Sequence, residues 1–132
     1  GNGKNIADPS EMNFNASEQY KKDYSVVGEY RGKTTPVRQF APNALGFFDL
    51  SGNVEEWCYD WFGDYPSFEK ASADIPAEPQ PNPMGSEQGS VRVHRGGSWL
   101  LAALLCRAAY RFHWPPDYRN DYLGFRLALS LQ

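Results

Sequence analysis

Thiols, imidazoles, neighbouring carboxylates and a dense run of rings are the groups in this sequence that could do chemistry. The two cysteines, Cys58 and Cys106, sit far apart without a C-x-x-C or a His-rich neighbourhood, so their spacing does not predict a zinc site. They either pair as a disulfide, which needs an oxidising compartment, or stay buried as thiols. His94 and His113 are the only imidazoles, and two histidines alone do not make a facial iron triad. In "DLSGNVEEW" Asp49 and Glu56 flank a turn whose carbonyls can converge with them, the hard-oxygen surroundings calcium prefers. A solvated acidic turn has the same sequence. The rings and leucines gather in "SWLLAALLCRAAYRFHWPPDYRNDYLGFR", Ser98 to Arg126. Leucine pairs at 100, 101, 104 and 105 have the i, i+4 spacing of an amphipathic helix that would bury them. Left on a surface instead, they would make an apolar patch of the kind that marks a binding or association site.

The elements that must position these groups are short. The sequence has 132 residues, 41% of them hydrophobic and 15% aromatic, which fits one globular core. A net charge of -3 without a basic cluster argues against nucleic acid as a partner, because phosphate binding needs grouped Lys and Arg. The longest apolar run, Trp99 to Cys106, falls far short of the roughly 20 residues that cross a bilayer as a helix. Residues 1–24 are polar and read as loop with at most one helical turn. "YRGKTTPVRQFAPNALGFFDLSGNVEEWCYDWF" mixes turn formers with aromatics and predicts short strands and tight turns, with Phe47, Phe48, Trp57 and Trp61 in the core. Residues 63–89 turn to Ser, Glu and Pro and predict an exposed loop. "VRVHRGGSW" alternates as a half-buried strand and puts His94 on its outer surface. "LGFRLALSL" alternates as a last strand with Phe125, Leu127 and Leu129 on one face. Many turns, short antiparallel strands and little helix amount to an α+β fold.

Three blocks then align in order: "PNALGFFDLSGNVEEW", "RVHRGGSW" and "LGFRLA". They resemble the signature segments N-x-x-G-L-x-D-M-x-G-N-V-W-E-W, R-V-x-R-G-G-S-W and G-F-R of the formylglycine-generating-enzyme, or sulfatase-modifying-factor, superfamily, over about residues 36–128. The resemblance implies a variant of the C-type lectin fold. It also implies that residues 1–132 form the C-terminal part of one such domain, with "GNG" and "MNF" as traces of segments that precede these blocks in the family. A partner is thereby expected in the N-terminal part of the same domain. The family's calcium site maps onto Asp49, Gly52, Val54 and Glu56, although Glu55 stands where the family has Trp. The family's founding enzyme oxidises a cysteine with two thiols of its own, and this chain has only Cys106 in the corresponding window. Copper-dependent oxidation is therefore not expected of these residues.

Between Ser98 and Gly124 a regular skeleton is interleaved with residues of no consistent polarity. This frame resembles the variable regions of diversity-generating retroelement proteins, most of all the Treponema type. There an error-prone reverse transcriptase alters template adenines, so AAY codons scatter into residues such as Leu, Phe, Tyr, His, Asn, Asp and Ala, but never Trp, Lys, Glu, Gln or Met. Leu100, Leu101, Leu104, Leu105, Tyr110, Phe112, His113, Tyr118, Asn120, Asp121 and Tyr122 all belong to the reachable set. Trp114 does not and counts with the frame, together with Trp99, Cys106, Arg107, Ala108, Arg111, Arg119 and Phe125; Ala102, Ala103 and Pro115 fit either origin.

The resemblance thus implies a non-catalytic, monomeric, ligand-binding protein whose residues 98–124 face a protein or cell-surface ligand. It needs no cofactor beyond structural calcium, and it implies display at the cell surface or outside it, by a lipid anchor in a region outside this chain. The alternative is a sulfatase-modifying-factor-like oxidoreductase, or a related enzyme, whose catalytic residues lie outside this sequence.

Overall fold

Alternation in "RVHR" and "RFHW" produces the two strands at the middle and one side of a single four-stranded sheet. The computed structural model describes residues 3–64 and 85–129. Its strands are β1 (Glu55–Trp61), β2 (Arg92–Arg95), β3 (Arg111–Trp114) and β4 (Leu123–Gly124), in the order β3-β2-β1-β4. β2 runs antiparallel to both β1 and β3, whereas β4 joins β1 in parallel through Glu55↔Leu123 and Glu56↔Gly124. The sheet is therefore mixed, where the sequence predicts antiparallel strands. His94 lies opposite Trp57 on one side and Phe112 on the other, so these rings share one face of the pleat.

That placement corrects the expectation for His94. It is fully buried rather than on an outer surface, because β2 is an interior strand flanked by two aromatic-bearing neighbours. Trp57 and Phe112 meet the imidazole edge-on at 5.6 and 5.5 Å. Its Nδ1 lies 3.2 Å from a carboxylate oxygen of Glu55, itself buried.

A second layer forms where none is predicted. Residues 3–24 contain no strand and only a 3-10 turn at Glu18–Tyr20, as expected of a loop, yet every residue of "MNFNA" (12–16) is buried. Met12, Phe14 and Ala16 pack with Ala103 and Cys106 into a core cluster. The intervening asparagines satisfy buried backbone in place of a strand ladder. Asn13 donates from Nδ2 to the Lys33 carbonyl at 2.9 Å, and its own carbonyl accepts from the Asn53 amide at 2.7 Å. Asn53 then takes the Thr35 amide on its Oδ1 at 2.9 Å and, through its carbonyl, the Trp99 amide at 2.9 Å. One left-handed residue, Asn53 with φ 65°, thereby ties the N-terminal segment and the 33–35 loop to the G-G-S-W turn.

Two glycines permit the close approach. At Gly52, φ +81°, a Cβ would collide with the Asn13 carbonyl oxygen. At Gly97, φ +68°, a Cβ would stand 2.5 Å from Cys106 Sγ and 2.7 Å from its Cα. Neither position tolerates a side chain.

Two further expectations are corrected. The last strand ends at Gly124, and Phe125, Leu127 and Leu129 are 72, 90 and 87% exposed. Beyond Glu56↔Gly124 the segment no longer pairs with β1, so no described residue covers its apolar side. Phe47 is half exposed instead of lying in the core, while Phe48, Trp57 and Trp61 are half-buried. The predicted loop at 63–89 falls mostly outside the described residues.

Candidate functional site

The stretch from Ser98 to Tyr122 is built by alternating burial rather than by a helix. After the buried Ser98 the chain makes one 3-10 turn, Ala103–Cys106. Residues i and i+3 eclipse in such a turn, and Ala103 and Cys106 are the two that point into the core. Leu104 and Leu105 are carried outward, so the i, i+4 helix that leucine spacing alone predicts does not form. Ala103, which sequence leaves ambiguous, belongs structurally to the frame.

None of the eleven proposed variable positions is buried. Leu100, Leu104, Phe112, Asn120 and Asp121 are exposed, and Leu101, Leu105, Tyr110, His113, Tyr118 and Tyr122 are half-buried. On β3 and beyond, the rings form a ladder. Phe112 meets Trp114 edge-on at 5.7 Å, and Trp114 stacks on Tyr118 at 4.4 Å. The Tyr118 hydroxyl lies 3.1 Å from that of Tyr122 and accepts from Asn120 Nδ2 at 2.9 Å. The hydrogen bond to Tyr118 raises the Tyr122 phenol to about 12, which keeps that hydroxyl protonated across physiological pH. Trp114, assigned to the frame from codon reasoning, is thus structurally inside the aromatic face. Of the other frame residues, Cys106 is buried and Trp99, Arg111 and Trp114 are half-buried, whereas Arg107, Ala108, Arg119 and Phe125 are exposed.

The acidic turn is arranged around a guanidinium. Arg126 grips both carboxylate oxygens of Glu56 at 2.6 Å and donates further to the Phe48 and Asp49 carbonyls at 3.0 and 3.3 Å. The Asp49 carboxylate accepts from the Arg38 amide at 3.0 Å. Pairing with Glu56 also raises the Arg126 pKa. Among the described residues no group of three or more His, Cys, Asp or Glu side chains could hold a metal. Calcium at Asp49, Gly52, Val54 and Glu56 would have to take Glu56 from the Arg126 guanidinium, which already holds both of its oxygens. Adding calcium is expected to leave the thermal midpoint unchanged, and removing the guanidinium by Arg126→Gln is expected to lower it. A calcium-dependent rise of several degrees in the wild-type protein would show that the ion displaces Arg126.

The thiols are poorly placed for redox chemistry. Both are free, Cys106 buried and Cys58 half-buried. Burial pushes the Cys106 thiol up to about 12 and also raises Cys58. A thiol raised this far carries almost no thiolate at pH 8, and the thiolate is the reactive form. Cys106 is expected to resist iodoacetamide at that pH until the protein is denatured, as read by mass spectrometry. His113 rests on Phe62 at 4.1 Å. It shares no metal-binding group with His94, which faces Trp57 and Phe112 on the other side of β2 and β3.

The strands form a small mixed sheet among many loops, in keeping with the family whose model the chain matches. Residues 2–131 match the sulfatase-modifying factor enzyme 1-like domain, and the chain belongs to that family. It is 39% identical to the formylglycine-generating enzyme of Thermomonospora curvata over 99 residues, covering 72% of this chain and 31% of that protein. It is 38% identical to the serine/threonine-protein kinase pkn1 of Chlamydia pneumoniae over 120 residues, 91% of this chain and 18% of that one. Among solved structures, Treponema denticola variable protein 1 superposes with a TM-score of 0.62 at 35% identity, over 74% of this chain and 32% of that chain. The chain spans less than a third of the length of each of these relatives.

Asn13, Asn53, Glu55 and the Arg126 clamp go unrecognised in the sequence. A signal is present for Asn53, which sits between Gly52 and Val54 in the G-N-V turn. Arg126 stands in the G-F-R segment and Glu55 in the acidic turn, but nothing local gives their partners, which are distant in the chain.

Proposed function

We propose that this chain is the ligand-binding part of a non-catalytic surface protein, with retroelement-varied residues carried on a sulfatase-modifying-factor scaffold. The observation that carries the reading is the division of residues 98–122. Ser98, Ala103 and Cys106 are buried, while all eleven interleaved variable positions retain solvent contact. Tyr and Phe rings in such a face offer large contact area with few rotatable bonds to freeze, which lowers the entropic cost of binding. The likeness to Treponema denticola variable protein 1 supports the same assignment. The ligand is a protein or another cell-surface molecule, and display is at the cell surface, through an anchor outside these residues.

An enzymatic reading has a specific observation of its own, the identity with formylglycine-generating enzymes. The single buried Cys106, with its raised pKa, argues against copper-dependent thiol oxidation by these residues.

Five replacements made together test the proposal: Leu100→Asn, Leu104→Asp, Phe112→Tyr, Asn120→His and Asp121→Ala. All stay within the set reachable from AAY codons. Exposed positions each change stability by about 0.5 kcal/mol or less, so the variant is expected to remain folded, with a total loss of about 2.5 kcal/mol at most. Unfolding of this variant would refute the display reading. Oxidation of a thiol substrate by the wild-type protein with copper would establish the enzymatic one.

A further inference from the structure

Residues 115–122 carry the chain from β3 to β4, which lie at opposite edges of the sheet. Two of the proposed variable residues hold that crossing. At its start Tyr118 stacks on Trp114 at 4.4 Å with 18° between the rings, and its amide donates to the Pro115 carbonyl at 3.0 Å. At its end the Tyr122 carbonyl accepts the Glu55 amide of β1 at 2.8 Å. The two hydroxyls lie 3.1 Å apart and link the halves. Asn120 sits between them with both ends of its side-chain amide in use, Nδ2 donating to the Tyr118 hydroxyl at 2.9 Å and Oδ1 accepting the Asp121 amide at 2.7 Å. Contacts thus run from Trp114 through Tyr118 and Tyr122 to Glu55, from one edge of the sheet to its interior. Leu100, Leu104 and Asp121 are placed differently. Their side chains are exposed and enter no hydrogen bond, ion pair or ring contact among the described residues.

We infer that the eleven variable positions are of two kinds: Tyr118 and Tyr122 are positioning residues that set the path of the 115–122 crossing and vary as a pair, whereas Leu100, Leu104 and Asp121 vary independently and determine which ligand is bound. The inference rests on the variable-display reading of residues 98–124 and deepens it. A hydrogen bond between two side chains makes each replacement depend on the other, so contacting residues show non-additive effects. A side chain that reaches only solvent changes at little cost to the fold. A binding face needs both kinds, because a backbone held in one conformation lowers the ordering cost of association, while discrimination between ligands comes from the side chains it presents. Asp121 is where the two meet. Its amide is held by Asn120, and its side chain is offered to solvent.

A double-mutant cycle tests the pairing in the purified protein as its gene encodes it. Tyr118→Phe and Tyr122→Phe keep both rings, and each is expected to raise the unfolding equilibrium constant about twofold to tenfold, the range of one hydrogen bond. The double variant is expected to match Tyr118→Phe alone; effects that multiply overturn the pairing. A library of the same protein, with all eleven positions drawn from the set reachable from AAY codons, then separates the inference from the reading it rests on. After surface display and selection for protease resistance, survivors are expected to show correlated residues at 118 and 122 and to keep the input composition at 100, 104 and 121 within about twofold. Selected further on immobilised lysozyme as a probe, the survivors are expected to converge at 100, 104 and 121. Independent residues at 118 and 122, or convergence on the probe that spares 100, 104 and 121, overturn the inference and leave the display reading standing. Survivors confined to Leu100, Leu104 and Asp121 before any probe is applied overturn the display reading itself.

Discussion

Gly97→Ala is expected to cost about 2–5 kcal/mol, because two effects add there. The left-handed conformation at φ +68° costs a residue with a Cβ about 1–2 kcal/mol, and overpacking a tight contact typically costs about 1–3 kcal/mol. The new methyl would stand 2.5 Å from Cys106 Sγ, 2.7 Å from Cys106 Cα and 2.9 Å from the Leu105 carbonyl oxygen. Two of these three atoms are backbone, so Cys106→Ala is not expected to rescue the variant. Gly46→Ala separates the two effects, because Gly46 has φ +82° with no atom within 4 Å of a Cβ. It should lose only the conformational part, about 1–2 kcal/mol. Chemical denaturation of the two variants checks both values. Equal losses would mean that the Gly97 backbone does not press against Cys106, and the turn that presents residues 100–105 would have to be rebuilt.

Phe14→Ala should be comparably severe, at about 3–5 kcal/mol. Phe14 is 1% exposed at the centre of the cluster with Met12, Ala16, Ala103 and Cys106. Truncation removes the ring and leaves a space that its neighbours close only in part. The effect reaches the candidate site, because Ala103 and Cys106 are the buried end of the 3-10 turn that carries Leu104 and Leu105 outward. A loss of that size against a typical total of about 5–15 kcal/mol would be plain in a thermal melt. Tyr20→Ala, in the same segment but 43% exposed, is expected to lose about 1 kcal/mol or less. If Phe14→Ala behaved like Tyr20→Ala, residues 12–16 would not belong to the core.

These two residues also mark where the fold is legible in the sequence. The G-G pair before Trp99 signals a backbone that cannot carry side chains, and Gly97 against Cys106 gives the reason. Phe14 gives no such sign. Its flanking Asn13 and Asn15 are polar and would ordinarily indicate a solvated loop, but both are buried with their amides spent on backbone groups of the 33–35 and 100–101 segments. His94 shows a related limit. Alternation in "VRVHR" correctly predicts a strand, but which face meets the core depends on the strands that flank it, and β1 and β3 are remote in sequence. The leucine pairs mislead for a different reason. Their spacing is helical, while the backbone tightens into a single 3-10 turn whose inward positions are Ala103 and Cys106. Arg126 and Glu56 are 70 positions apart, so a carboxylate that reads locally as a cation ligand is already committed to a guanidinium.

Whether a fixed frame carries residues meant to vary is decided in the DNA flanking the coding segment for residues 98–124. A near-copy of that segment is expected there, beside a reverse-transcriptase gene. That copy should carry adenines at the codons for Leu100, Leu101, Leu104, Leu105, Tyr110, Phe112, His113, Tyr118, Asn120, Asp121 and Tyr122, and not at those for Ser98, Trp99, Cys106 or Trp114. Flanking sequence with no such copy, in a protein that oxidises a thiol substrate with copper, would rule the variable-display function out.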